Sequence, residues 1–114
     1  MENLDITPHY IPLEKIASQD FNLVLDGNNC NIKFSCCNGY TYNWLTVNDI
    51  VINAGVMCHC NVKINQYKPK IFRGSLFFIN QSQDGTEPYF MDFNEKFKLL
   101  FLTAEQTLAM GGGV

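Results

Sequence analysis

The sequence predicts an all-β protein, a small single-domain antiparallel β-barrel or sandwich built on a meander. Hydrophobic and polar residues alternate along several short segments, which is the period of a half-buried strand. Residue pairs that tolerate positive φ separate these segments. The 114-residue chain is also rich in aromatic side chains, with nine Phe, five Tyr and one Trp, and such side chains favour pleated surfaces. This length predicts one domain.

The meander occupies the first half of the chain. Asp26-Gly27, Asn38-Gly39 and Asn48-Asp49 are each typical of tight hairpin turns. The strands that these turns connect are predicted over residues 21–25, 30–36, 40–47 and 50–52. Successive strands joined in this way pair with their neighbours in sequence.

The second half of the chain is less regular. Ala54-Gly55 breaks the alternation, and the stretch 56–64 predicts another strand, with a short helix as the alternative. The remaining segments are a loop at 67–70, a strand at 74–79, a polar loop at 81–88 and a strand at 96–102. The predicted organisation is an N-terminal arm over 1–10, a β domain over 11–104 and a flexible C-terminal tail over 105–114.

Charge and hydropathy exclude several classes of partner. The net charge is −3, and the eight Lys and Arg residues are scattered, whereas nucleic-acid binders carry a basic stripe. No apolar run reaches the roughly 20 residues of a membrane span. The N-terminus begins with acidic residues and lacks the layout of a signal peptide. We therefore expect no nucleic-acid or membrane partner, and synthesis in the cytoplasm.

The cysteines and one histidine are the first candidates for site chemistry. The five thiols belong to Cys30, Cys36, Cys37, Cys58 and Cys60. A strand places Cys58 and Cys60 on one face and His59 on the other, which disfavours both a structural zinc knuckle and a Cys-His nucleophile. Packed, reduced thiols are the favoured interpretation, with no metal, no cofactor and no catalytic residue. A small metal- or ligand-binding β domain using Cys36, Cys37, Cys58, Cys60 and His59 remains the alternative.

Two further patterns have both a functional and a structural interpretation. The residues from Asn80 to Gly85 resemble the start of a calcium loop, but Met91 stands where the bidentate acid is needed, so a polar turn is favoured. Tyr40, Tyr42 and Trp44 share one face of a strand and suit a stacking platform for a base or sugar. Without basic surroundings, a place in the core or at a protein interface is favoured.

Several segments, taken in order, resemble the cyanophage-type baseplate plug family of contractile-tailed phages. These segments are 11–13, 21–27, 32–34, 42–47, 51–55, 74–79, 84–88 and 97–103. The resemblance implies a β-rich structural protein of the virion, at the tail baseplate, with no enzymatic role. It implies contacts with hub, tail tube, spike or sheath-initiator proteins. A small host-side binding module is a further alternative.

Partner contacts are expected from two places in the chain. Leu4, Ile6 and Tyr10 of the arm are apolar but too isolated to build a core, so we expect them to lie on a neighbouring subunit. Tyr89 and Phe90 adjoin the acidic loop and are the second expected contact, although they could simply cover the core. We also expect the protein to be an oligomer in the virion, where moderate interfaces add up.

Overall fold

Four consecutive strands form the antiparallel sheet that the turn residues predict. The computed structural model describes residues 9–65 and 74–105. The four strands are β2 (Ser18–Leu25), β3 (Asn28–Cys37), β4 (Tyr40–Val47) and β5 (Ile50–Met57), and they lie in the order β2-β3-β4-β5. Residues with positive φ form each turn, including Asp26, Asn38 and Asn48. The predicted meander is therefore confirmed.

A second, three-stranded antiparallel sheet covers one face of the first. It consists of β1 (His9–Ile11), β6 (Ser75–Asn80) and β7 (Phe97–Leu102), in the order β1-β7-β6. The core lies between the two sheets, where the rings of Phe34 and Phe78 have centroids 5.3 Å apart and those of Phe78 and Phe93 are 5.6 Å apart. The all-β, antiparallel prediction is confirmed.

The two sheets are linked along one side without closing into a single sheet. After β5 the chain crosses to the edge of β6, where the N–H of Asn61 donates to the carbonyl of Phe78 and that of Ile64 donates to the carbonyl of Leu76, both at 2.7 Å. On the other side, strands β1 and β2 are the free edges of their sheets among the described strands. One side of the domain is therefore bridged and the other is open.

The end of the meander differs from the prediction. The strand β5 continues through Ala54 and Gly55 to Met57, although Gly55 was expected to end it. The pairing of β4 with β5 shifts register twice, and Gly55 adopts φ 76°. The strand therefore continues past this glycine because its pairing with β4 becomes irregular there. The strand predicted over 56–64 is wrong beyond Met57, because that segment crosses between the sheets and only Cys60 forms a bridge there.

The ends of the chain bear on the predicted arm and tail. His9 and Tyr10 fall within the predicted arm, and both pair with β7. Residues 1–8, the predicted loop at 67–70 and all of the predicted tail except Glu105 lie outside the described residues. A 3-10 turn forms over Phe90–Asp92. In the part of the chain that the structure covers, no helix has the length and apolar character to cross a membrane.

Candidate interaction surface

The outer face of the four-stranded sheet carries the aromatic side chains of β4. Burial alternates along this strand, so that Thr41 and Asn43 face the core while Tyr40, Tyr42 and Trp44 lie on the opposite face. Tyr40 is 43% exposed and Trp44 is 36% exposed. The sequence left open whether these rings lie in the core or at an interface, and the structure places them at the surface.

Buried polar groups hold β4 in this orientation. The Thr41 hydroxyl donates to the carbonyl of Pro88 at 2.7 Å. The Asn43 amide donates to the carbonyl of Lys33 at 3.2 Å and accepts from the Asn53 amide at 2.9 Å. A slip of one residue would bury the aromatic rings but would expose these polar side chains and break their hydrogen bonds. The exposed aromatic face thus follows from a specific buried network.

Neighbours on both adjacent strands surround the indole of Trp44. Trp44 pairs with Lys33 of β3 and with Ala54 of β5. The Lys33 ammonium lies 5.0 Å from the centroid of the indole ring, a cation-π distance. A Cβ atom placed on Gly55 would lie 3.4 Å from Trp44 Cζ2, so the indole lies directly over this glycine. The indole therefore contacts residues of both neighbouring strands, and part of it remains exposed to solvent.

These residues form one continuous surface, which we call the Trp44 patch. Its members are the aromatic residues of β4 and the outward residues of β5 near them: Tyr40, Tyr42, Trp44, Val51, Ala54 and Met57. Lys33 borders the patch, and the neighbouring positions of β2 and β3 carry polar side chains such as Asn31, which donates to Asp20 and Asn22. Aromatic residues and Met surrounded by polar groups are typical of the centre of a protein interface.

The cysteines differ in burial, from the buried Cys30 and Cys58 to the exposed Cys37. Cys58 is buried, and burial, with the neighbouring Cys36 and Cys60, raises its pKa well above the usual range. Burial, followed by the negative charges of Glu87 and Asp84, raises the pKa of Cys60 to about 11. Zinc binds thiolates, which these environments disfavour. Within residues 9–65 and 74–105, no cluster of three or more metal-ligating side chains is found, and the metal-binding alternative gains no support from this geometry.

The histidine next to these cysteines pairs with a carboxylate. The ring Nδ1 of His59 contacts the carboxylate of Glu87 near the surface. The thiol of Cys58 instead points to the carbonyl of Val56 at 3.9 Å, and that of Cys60 to the carbonyl of Thr86 at 3.6 Å. His59 therefore contacts Glu87 and neither of the two neighbouring thiols, whereas a base that activates a thiol must hydrogen-bond it.

The loop that resembles a calcium site is a polar turn whose acidic residue pairs with a lysine side chain. The Asp84 carboxylate accepts from the Asn80 amide at 2.8 Å and from the Thr86 hydroxyl at 2.7 Å, and it pairs with the Lys96 ammonium. The contact with Lys96, together with those from Thr86 and Asn80, holds the pKa of Asp84 far below its usual range. Its oxygens are engaged by Asn80, Thr86 and Lys96.

The residues expected to contact partners occupy different parts of the structure. Tyr10 lies on β1 and is 49% exposed, and the Lys98 ammonium lies 5.3 Å from the centroid of its ring. Tyr89 and Phe90 are half-buried, with ring centroids 4.9 Å apart, and Phe90 packs against the core. Leu4 and Ile6 lie outside the described residues. The contacts expected of all five remain predictions.

The Trp44 patch was not among the predicted contact residues, although part of it could have been found. The equal spacing of Tyr40, Tyr42 and Trp44 shows that they share a face. Which face they occupy depends on long-range hydrogen bonds, such as that between Thr41 and Pro88, and these leave no local trace in the sequence.

A small β domain with an exposed aromatic surface has the character of a protein that binds other proteins. Residues 9–105 match the family model described as cyanophage baseplate Pam3 plug gp18, and the chain belongs to this baseplate plug family. This family is one of structural phage baseplate proteins, as the sequence resemblance implied. No match was found among curated proteins.

Proposed function

We propose that this chain is a non-catalytic adaptor at the centre of a contractile phage tail baseplate, in contact with hub, tail-tube and sheath-initiator proteins. It is made in the host cytoplasm and incorporated into the virion tail. The observation that supports this proposal most directly is the Trp44 patch, because it is a surface through which a baseplate protein could bind its neighbour. Another baseplate protein occupies that surface by packing an apolar face of its own against it.

The composition of the patch favours a protein partner over a small ligand or a nucleic acid. Trp and Tyr dominate the energetics of protein interfaces, and truncating a central one costs roughly 2 kcal/mol or more. Lys33 is the cation that borders the patch, so the basic track that single-stranded nucleic acids require is missing from this part of the described surface. A partner that places an acidic group beside Lys33 would complement the patch best.

The fold suits a rigid spacer. Tight turns connect all four strands of the larger sheet, and aromatic rings from both sheets interlock in the core. A domain of this kind transmits position with little internal movement, because a close-packed core deforms little. Several moderate interfaces of this type, repeated around a ring, would hold a baseplate that must still rearrange on contraction.

The residues predicted from the sequence extend this proposal to a second contact region. Tyr10 projects from β1 in the smaller sheet, away from the Trp44 patch on the larger one. Leu4 and Ile6 of the arm, and Tyr89 and Phe90 beside the polar loop, are the further proposed contacts. An adaptor needs two such regions, since it must bind two neighbours at once.

The test is incorporation into virions. Trp44→Ala removes the centre of the patch, and Val24→Ala is the matched control because Val24 is an exposed apolar residue of the same sheet, 68% accessible, on β2. Each variant would complement a phage lacking the gene, and quantitative mass spectrometry would measure the protein in purified virions. We expect the Trp44 variant to be depleted at least tenfold and the Val24 variant to be retained.

Circular dichroism of the two purified variants provides the control for folding. The patch proposal is wrong if folded Trp44→Ala protein enters virions at the wild-type level.

A further inference from the structure

The free edge of β2 has the properties of a site for strand addition. Among the described strands β2 pairs only with β3, and its eight cross-strand pairs run without a register shift. The opposite edge strand, β5, has two shifts in its pairing with β4. Bulges, Pro and charged side chains are the usual means by which proteins block an edge, and the sequence of β2, SQDFNLVL, contains no Pro and one charged residue, Asp20.

The backbone groups that face outward from this edge can be assigned. The N–H of Cys36 donates to the carbonyl of Ala17 at 2.7 Å, and the carbonyl of Asn29 accepts from Asn48, away from β2, at 2.8 Å. In an antiparallel pair the hydrogen-bonding direction alternates from residue to residue. The N–H and C=O groups of Asp20, Asn22 and Val24 therefore point away from β3, towards the space that an added strand would occupy.

A groove with apolar side chains lies beside this edge. Phe21 and Leu23 face inward but are only partly buried against the core, because the opposing sheet ends on this side with the three residues of β1. Together with Pro12 and Ile16 they form the apolar part of a groove of about 490 Å³, whose other lining residues are polar. A strand added to β2 would pair with its backbone and cover these side chains with its own apolar face.

We propose that this edge binds residues 2–7 of a second copy of the same chain. The proposal deepens the adaptor function and depends on it, because it assumes a chain that works within a multisubunit assembly. Leu4 and Ile6 are two residues apart, so in a strand they share one face, and this face would lie on Phe21 and Leu23. Main-chain pairing gives such a contact its register, and alternate side chains give it specificity.

The junction between the arm and β1 favours a second copy over the chain's own edge. His9 already pairs with Phe101 of β7, and the sequence places Pro8 directly before it; a residue that precedes Pro favours extended backbone, which disfavours an immediate reversal. Six extended residues span about 20 Å, enough to reach along a neighbouring subunit. A contact between the arm of one copy and the edge of the next is heterologous, and such contacts generate rings when the rotation closes.

The test uses two full-length variants with complementary defects. Leu4→Asp combined with Ile6→Asp disables the arm and leaves the edge intact. Asn22→Pro removes an outward N–H from the edge and leaves the arm intact. Asn22→Ala is the matched control, because it also loses the hydrogen bond from Asn31 but keeps the backbone N–H. If Asn22→Pro does not fold, Val24→Pro removes the next outward N–H.

Sedimentation would measure the mass of each variant at protein concentrations up to about 1 mM. This is the order of the effective concentration between subunits that are held next to each other in an assembly. We expect the wild type and Asn22→Ala to form multimers, and each of the other two variants to remain a 13.0 kDa monomer. An equimolar mixture of these two should form a complex of twice that mass, because one intact arm meets one intact edge.

A mixture that stays monomeric overturns the proposal. So does a monomeric wild type, whether its edge is covered by its own arm or reserved for another protein. Neither result affects the adaptor function, which the incorporation of the Trp44 variant tests separately.

Discussion

The ammonium group of Lys33 lies 5.0 Å from the centroid of the Trp44 ring, although Asp20 stands opposite Lys33 on the other neighbouring strand. The cation thus lies on the aromatic side of the sheet, while Asp20 accepts from the Asn31 amide at 2.7 Å. The outer face is therefore polar around Asp20 and Asn31 and aromatic around Trp44.

Removing the charge of Lys33 should weaken the fold slightly. Lys33→Gln keeps part of the aliphatic stem but loses the cation-π contact with Trp44, which is worth about 0.5–1 kcal/mol at an exposed site. Chemical denaturation should show a loss of this size in the free energy of unfolding, and Lys33→Arg should retain the wild-type value. Equal losses in both variants would show that cation-π attraction, which an arginine would preserve, is not the source of the stabilisation.

Substituting Gly55 should cost about as much as substituting a comparable glycine elsewhere. Gly55 and Gly85 have similar φ values of 76° and 80°, and Gly→Ala at either position costs about 1–2 kcal/mol for left-handed backbone. A Cβ atom on Gly55 would lie 3.4 Å from the Trp44 ring, an ordinary contact distance. Thermal unfolding should therefore show similar losses for Gly55→Ala and Gly85→Ala. A clearly larger loss for Gly55→Ala would contradict this and would mean that the indole does not tolerate the methyl group.

The Asp84 loop should make stability depend on acid. Contact with Lys96 lowers the pKa of Asp84 in the folded protein, so the unfolded chain binds this proton first as the pH falls below the ordinary carboxyl value of about 4. The stabilisation is complete above that pH and is lost progressively below it. Between pH 7 and pH 2, the Tm of Asp84→Asn should fall less than that of the wild type. Parallel curves would contradict this role for Asp84.

The cysteines should react in the order of their exposure. Cys37 is exposed, whereas burial raises the pKa values of Cys58 and Cys60, which reduces the thiolate fraction that reacts. Alkylation of the native protein at pH 8, followed by peptide mapping, should modify Cys37 first and Cys58 last. Rapid labelling of Cys58 would show that the crossing between β5 and β6 opens easily.

Local chemistry explains which parts of the fold could be predicted. Asp26-Gly27 and Asn38-Gly39 determine their own backbone conformation, so the hairpins were evident from the sequence. The extent of β5 was not, because pairing with β4 carries the strand past Gly55 through a register shift. Alternation also cannot distinguish inside from outside for Tyr40, Tyr42 and Trp44, since only the buried partners of Thr41 and Asn43 decide this.

The Trp44 patch could be predicted from the sequence only in part, for the same reason. Exposed apolar residues resemble core residues in a sequence, so Trp44 was recognised as a candidate for core or interface, while Met57 and Val51 gave no signal. Their proximity is a product of pairing between β4 and β5.

The most direct test of the adaptor function is cross-linking mass spectrometry of purified virions with a carboxyl-to-amine reagent. Lys33 borders the Trp44 patch and provides the reactive amine. We predict that the chain is present in every preparation and that Lys33 is linked to an acidic residue of a hub, tail-tube or sheath-initiator protein. Virions that lack the chain, or that contain it without any link from Lys33 to another tail protein, would contradict the proposed function.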